Sequence, residues 1–156
     1  MCIRDRTVPL QMVEFYLILA AVTAVAGSLF WQLLLGSLVM LIFGFMGEAG
    51  IMAAMPAFVI GMAAWLYMIY VLYMGAGKSV VSTTSASVQT AYNSLLLIIV
   101  VGWSIYPLGY VLGYAGQQVD AASLNGIYNI ADFVNKIAFG LVIWAAAMQN
   151  TRLASR

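Results

Sequence analysis

Charge is what this sequence has least of. Six Lys and Arg and five Asp and Glu make up 7% of 156 residues, where soluble domains carry about 25%. A net charge of +1 leaves no basic surface for nucleic acid. Histidine is absent, which excludes His-based triads and His metal sites. The single cysteine, Cys2, permits neither an internal disulfide nor a cysteine zinc cluster. What fills the chain instead is apolar: 65% of residues are hydrophobic and the mean hydropathy is +1.02. Those values exclude a soluble globular domain and point to an all-α membrane protein with the lipid bilayer as its surroundings.

A hydrocarbon core about 30 Å thick needs roughly 20 apolar residues of helix. Five stretches qualify, at 7–26, 29–46, 56–73, 88–112 and 124–148, so the expected architecture is a bundle of five transmembrane helices. The runs are apolar throughout and rich in Leu, Met and Ala, unlike the alternating strands of a barrel. Pro56 suits a first helical turn, and Pro107, inside the fourth span, should kink it. Gly109 and Gly113 have the spacing of close helix approach. Lys78, Arg152 and Arg156 fall on one side of the membrane, which is expected to be cytoplasmic, and Glu48 and Asp120 on the other. The C-terminus is then inside.

Residues 1–6, Met-Cys-Ile-Arg-Asp-Arg, put two arginines on the outer side against that pattern. A signal peptide cleaved after Ala26 is one reading, but Glu14 within the apolar run speaks against it. The reading adopted is a non-native leader at 1–6, a helix bundle at 7–149 and a cytoplasmic tail at 150–156.

Function rests on the charges inside the spans. Asn125, Asn129, Asp132 and Lys136 are spaced i, i+4, i+7 and i+11, one stripe on one helix face. Intramembrane charges usually face a bundle interior, and an acid four residues before an amine is the favourable order for a pair. Such a pair can be no more than interhelical glue. Alternatively, a lysine held out of bulk water is a nucleophilic amine able to form a Schiff base with an aldehyde, with Asp132 as counterion. Glu14, on the first span, reads equally as a hydrogen-bonded carboxyl or as part of a proton relay. Trp103 and Tyr106 share a face just before Pro107, and Trp65 lies mid-span; they are ordinary core or a clamp for a flat conjugated ligand.

Three separated motifs then stand in order: Thr7-Val8-Pro9-Leu10-Gln11-Met12-Val13-Glu14-Phe15-Tyr16, Gly102-Trp103-Ser104-Ile105-Tyr106-Pro107 and Asp132-Phe133-Val134-Asn135-Lys136. Together they resemble the proteorhodopsins of the microbial rhodopsin family, over residue 7 to about 149. The resemblance implies the third to seventh helices of a seven-helix fold, so the chain is read as a truncated copy. It implies all-trans retinal on Lys136 as a Schiff base, Asp132 in the counterion complex, and Trp103, Tyr106 and Pro107 along the polyene. Trp65 and Met40 would close the pocket. Gln11 falls at the family's colour-tuning position and Glu14 at its cytoplasmic proton donor. The family's primary acceptor position, eleven residues before Glu14, falls on Ile3, within the expected leader.

The function implied is a light-driven outward proton pump, a photoreceptor and ion transporter that turns over no substrate as an enzyme would. The alternatives are a photosensory rhodopsin signalling to a partner and a non-photochemical helical membrane subunit. The expected partners are retinal, protons and the bilayer of a bacterial plasma membrane, with association into a homo-oligomer left open.

Overall fold

The computed structural model describes residues 4–115 and 119–154. Ile3 lies outside them, as do the side chains of Arg4 and Asp5. Every regular element among the described residues is helical: α1 (Arg4–Ala20), α2 (Gly27–Glu48), α3 (Ala54–Tyr73), α4 (Ala76–Val81), α5 (Ala86–Val100), α6 (Ile105–Tyr110) and α7 (Ala121–Ala154).

Four stretches are long and apolar enough to cross a membrane, namely Gly27–Glu48, Ala54–Val81, Ala86–Gly113 and Ala122–Gln149. The chain is an integral membrane protein of α-helices. The expected fifth span is shorter than its sequence suggests, because the apolar helix Thr7–Ala20 rises only about 21 Å. Past Ala20 the chain tightens, with the Val22 amide bonding to the Leu19 carbonyl at 3.1 Å, three residues back rather than four. Val22, Thr23 and Val25 are β-branched and weak helix formers, and Gly27 follows. The apolar run therefore outlasts the helix.

Pro107 acts one turn upstream of itself. Its ring nitrogen cannot donate to the Trp103 carbonyl and the ring crowds that oxygen. Accordingly α5 ends at Val100, Gly102–Ser104 form a 3-10 turn, and α6 restarts at Ile105. After α6, Val111–Ala115 widen into a π turn. The expected kink is thus a break in helical pitch that starts at Val101 and leaves carbonyls there for partners on another helix.

Close approaches fix how the helices run. A Cβ on Gly36 would meet Met68 and one on Gly47 would meet Ala57, both at 2.8 Å, so α2 and α3 pack antiparallel. On α6, a Cβ on Gly109 would meet the Tyr128 hydroxyl at 2.6 Å and Leu124 at 2.8 Å, and Gly113 also faces Leu124. The two glycines form the groove that receives α7, as their spacing suggests. One end of the bundle then holds the connections around Lys78 and, beyond α7, Arg152; the other holds Glu48 and Asp120.

The two halves are packed differently. The buried core clusters toward the Lys78 end: Met12, Phe15 and Leu19 of α1, Leu29 and Leu33 of α2, Met68, Val71 and Leu72 of α3, Tyr92, Leu95 and Ile99 of α5, and Phe139 of α7. Phe15 meets Tyr92 edge-on with ring centroids 4.8 Å apart, and the Tyr92 hydroxyl donates to the Leu72 carbonyl at 2.8 Å. Toward the Glu48 end the interior opens.

Asp120 caps α7 at that end. Its Oδ1 accepts from the amides of Ala122 (3.1 Å) and Ser123 (2.9 Å), and its Oδ2 accepts from the Ser123 hydroxyl (2.6 Å). The Ser123 hydroxyl and amide hold the carboxyl below its ordinary value, as an N-cap acceptor should be held. A depressed value means the stabilisation is present above the unfolded carboxyl range, about pH 4, and is lost as pH falls through the folded value. The melting temperature of Asp120→Asn in detergent should therefore lie below the parent's at neutral pH, with the gap closing in acid. A gap independent of pH would show that the carboxylate charge does not act at this cap.

Candidate functional site

α7 places Asp132 and Lys136 one turn apart on the face turned to α6. The Lys136 ammonium donates to Asp132 Oδ2 at 3.3 Å, with the two side chains 30% and 14% exposed. Asp132 Oδ1 accepts a short hydrogen bond from the Tyr106 hydroxyl. Each carboxylate oxygen thus has a donor, one of them charged.

Two further bonds lock α7 to the break around Pro107. Asn135 donates to the Gly102 carbonyl at 2.9 Å, and the Tyr128 hydroxyl donates to the Tyr106 carbonyl at 3.0 Å. Carbonyls where the helix changes pitch are answered by α7 side chains, which fixes the lysine's height against the aromatic residues of α6. A Cβ at Gly102 would collide with the Asn135 amide, so glycine there permits the approach.

This face lines a cavity of about 470 Å³. Gln11, Met40, Trp65, Trp103, Tyr106, Pro107, Asp132 and Lys136 all contribute to its wall. Every residue that the resemblance assigns to the chromophore pocket is therefore brought to one cavity. Gln11 is only 5% exposed, and the buried Trp65 Nε1 has no hydrogen-bond partner among the described residues.

The cavity is one-sided. Its wall residues nearest the Lys78 end are Gln11 on α1, Met40 on α2, Trp65 on α3, Trp103 before α6 and Lys136 on α7. From this floor it extends toward the other end, past Gly44 to Glu48 on α2, to Ala57 and Phe58 on α3, to Tyr110 on α6, and to Tyr128 and Asn125 on α7. Trp103 belongs to both the floor and the packed core. The amine thus sits where solid packing ends and an open space with some polar side chains on a mainly apolar wall begins.

Two residues of the sequence reading sit elsewhere. Asn129 is exposed and off the cavity wall; at about 100° per residue the wall centres between Asp132 and Tyr128, which puts Asn129 at its edge. Glu14 is also exposed within this chain and off the wall. The buried face of α1 runs through Gln11, Met12, Phe15 and Leu19, and Glu14 lies about 110° from its centre. It stands one turn beyond Gln11, on the far side of the cavity floor. Tyr128, Asn135, Tyr110 and Glu48 were not singled out as site residues from sequence. Tyr128 and Asn135 stand four before and three after Asp132, the helical spacing that could have found them.

A flat, conjugated aldehyde suits this donor set. One amine is available for covalent attachment, a carboxylate lies beside it, tryptophans and tyrosines wall an elongated space, and Gly44, where a Cβ would meet nothing within 4 Å, leaves room along α2.

The comparisons agree with this geometry. Residues 6–150 match the model of the family described as bacteriorhodopsin-like protein. The chain is 65% identical over 147 residues to the blue-light absorbing proteorhodopsin of Gamma-proteobacterium Hot 75m4, covering 93% of this chain and 59% of the relative. It is 63% identical over 146 residues to the green-light absorbing proteorhodopsin of Gamma-proteobacterium EBAC31A08, again 93% of this chain and 59% of the relative. Among solved structures, the blue light-absorbing proteorhodopsin from Med12 superimposes with a TM-score of 0.77 at 48% identity, over 94% of this chain and 64% of that one. The rhodopsin of Exiguobacterium sibiricum gives 0.81 at 29% identity, over 96% of this chain and 70% of that one. The chain thus spans about three-fifths of the length of the curated relatives it matches. It belongs to the bacteriorhodopsin-like family.

Proposed function

We propose that this chain works in light-driven outward proton transport, with all-trans retinal held on Lys136. The observation that carries the reading is the one-sided cavity, with amine and carboxylate at its floor, polar groups toward one end and close packing toward the other. Retinal, when bound, supplies visible absorption and a light-driven isomerisation that moves the nitrogen it shares with Lys136 and changes that atom's hold on its proton.

The chain's own residues do the rest. Lys136 provides the attachment atom, and Asp132 balances positive charge there while Tyr106 and Lys136 hold its two oxygens. Trp65, Trp103, Tyr106 and Pro107 confine the ligand, with Met40 across from them on α2. Toward the Lys78 end the packed core excludes water, so protons do not leak back. Glu14, on α1 beyond the floor, is the donor that returns a proton to the Lys136 nitrogen from that side. Lysine and arginine near span ends favour the cytoplasm, which puts the Lys78 and Arg152 end inside a bacterial plasma membrane and the cavity mouth outside.

The test is reconstitution. Residues 7–156 joined to the part of the Hot 75m4 relative that precedes the counterpart of Thr7, so that the relative's own residue replaces Ile3, give the completed, seven-helix bundle that the resemblance implies. Titrated with all-trans retinal, it should develop a visible band that saturates at one equivalent. Absence of any visible band would favour the non-photochemical membrane subunit.

Gln11 gives a colour test of the same pocket. An amide dipole beside the ligand stabilises the ground-state charge distribution near the attachment nitrogen more than the excited one. Gln11→Leu should therefore shift the band to longer wavelength. An unchanged or shorter wavelength would mean that Gln11 does not face the chromophore.

A further inference from the structure

Asn135 and Gly102 each stand immediately before a residue of the cavity floor. Asn135 precedes Lys136 on α7, and Gly102 precedes Trp103 in the 3-10 turn between α5 and α6. Lys136, Trp103 and Asn135 all line the cavity. The Asn135 amide donates to the Gly102 carbonyl at 2.9 Å. Across that bond the chains run so close that a Cβ on Gly102 would lie 2.3 Å from Asn135 Oδ1 and 3.0 Å from its Cγ. The two residues are therefore matched: any side chain at 102 pushes the amide away, and a residue without an N–H at 135 leaves that carbonyl unanswered by α7. Trp103 is itself held, 4% exposed and packed in the core. Other bonds from α7 to this stretch act further off. The Tyr106 hydroxyl reaches Asp132, one turn before Lys136, and the Tyr128 hydroxyl acts eight residues before it, about 12 Å along the helix.

We propose that Asn135 is a positioning residue that sets isomer specificity, a role that rests on the retinal-pump reading above. Through Gly102 it fixes the gap between the Lys136 nitrogen and the Trp103 indole. An extended, all-trans polyene needs a slot of constant width. An isomer bent near the attachment point needs the indole to stand further off, and the bond withholds that room. Side chains that shape a ligand are themselves held by hydrogen bonds behind them, and here the holding group is one residue from the attachment lysine.

The experiment compares retinal extracted in the dark from the completed protein and its variants. Asn135→Ala keeps Lys136 and should still form the pigment, with the share of bent isomers raised about fivefold, the scale of one net hydrogen bond. Gly102→Ala should do the same, because its Cβ displaces the amide. In the double variant the collision is gone, so Gly102→Ala should add nothing to Asn135→Ala. The same non-additivity should appear in melting temperatures of the retinal-free protein, a readout that needs no ligand. Leu124→Ala is the control. Leu124 packs against Gly109 and Gly113, off the cavity wall, so its loss should lower the melting temperature and leave the isomer ratio at the parent's value. A parent ratio in either Asn135→Ala or Gly102→Ala, or additive effects in the double variant, would overturn the assignment while the retinal reading stood. An equal rise in Leu124→Ala would also overturn it, by assigning the effect to general loosening of α7. A parent that forms no pigment would sink the retinal reading itself, and the selecting role with it.

Discussion

Lys136→Ala in the completed protein should abolish the visible pigment entirely. Two lysines occur in the chain, Lys78 and Lys136. Lys78 is exposed on α4, its ammonium 5.7 Å from the centroid of the Tyr73 ring, at the opposite end from the cavity. Lys136 alone of the two reaches the space walled by Trp65, Trp103 and Tyr106. Removing it takes away the nucleophile and leaves Asp132 with only the Tyr106 hydroxyl among its two donors described above, so the fold should survive while attachment fails. Borohydride reduction of the parent followed by peptide mapping should find the retinyl group on the Lys136 peptide. Label on Lys78, or a visible band persisting in Lys136→Ala, would refute the attachment site.

Glu14→Gln should produce the second-largest effect, and a different one. Colour should change little, because Glu14 does not line the cavity. Recovery after a flash should slow by about two orders of magnitude, the usual scale for a lost general acid. Between Glu14 and Lys136 lies the floor made by Gln11 and Trp103, backed by Phe15 and Phe139. Without a carboxyl on α1, a proton must cross that packing from bulk water, so recovery should also become proportional to proton concentration on the inner side. Recovery at the parent rate would reduce Glu14 to a structural role and weaken the pump reading against a sensory one.

The legible part of the site was the part written on single helices. Asp132 and Lys136 announce themselves as charges one turn apart in an apolar run, and Trp103, Tyr106 and Pro107 crowd one short stretch. The spacing of Gly109 and Gly113 fits a close helix approach, a common motif that does not name its partner; the structure supplies α7 as that partner. What sequence could not show was which carbonyls α7 would reach. The Asn135–Gly102 and Tyr128–Tyr106 bonds depend on the register of α7 against the stretch from Gly102 to Tyr106. The end of α1 at Ala20 was hidden for a similar reason: hydropathy does not register the β-branched residues that follow. Glu48 read as a loop charge, since only the packing of α2 against α3, with Tyr110 of α6 beside Gly47, puts it on the cavity wall.

On the proposed reading, the cavity that joins Lys136 to the Glu48 end, behind a packed core on the Lys78 side, carries protons outward. The most direct test of that reading is the pH of an unbuffered suspension of cells making the completed protein with all-trans retinal. Illumination should acidify the medium, an uncoupler should abolish the change, and Lys136→Ala cells should show none. Light-driven alkalinisation, or a pigment that absorbs and recovers with no uncoupler-sensitive pH change, would contradict the account.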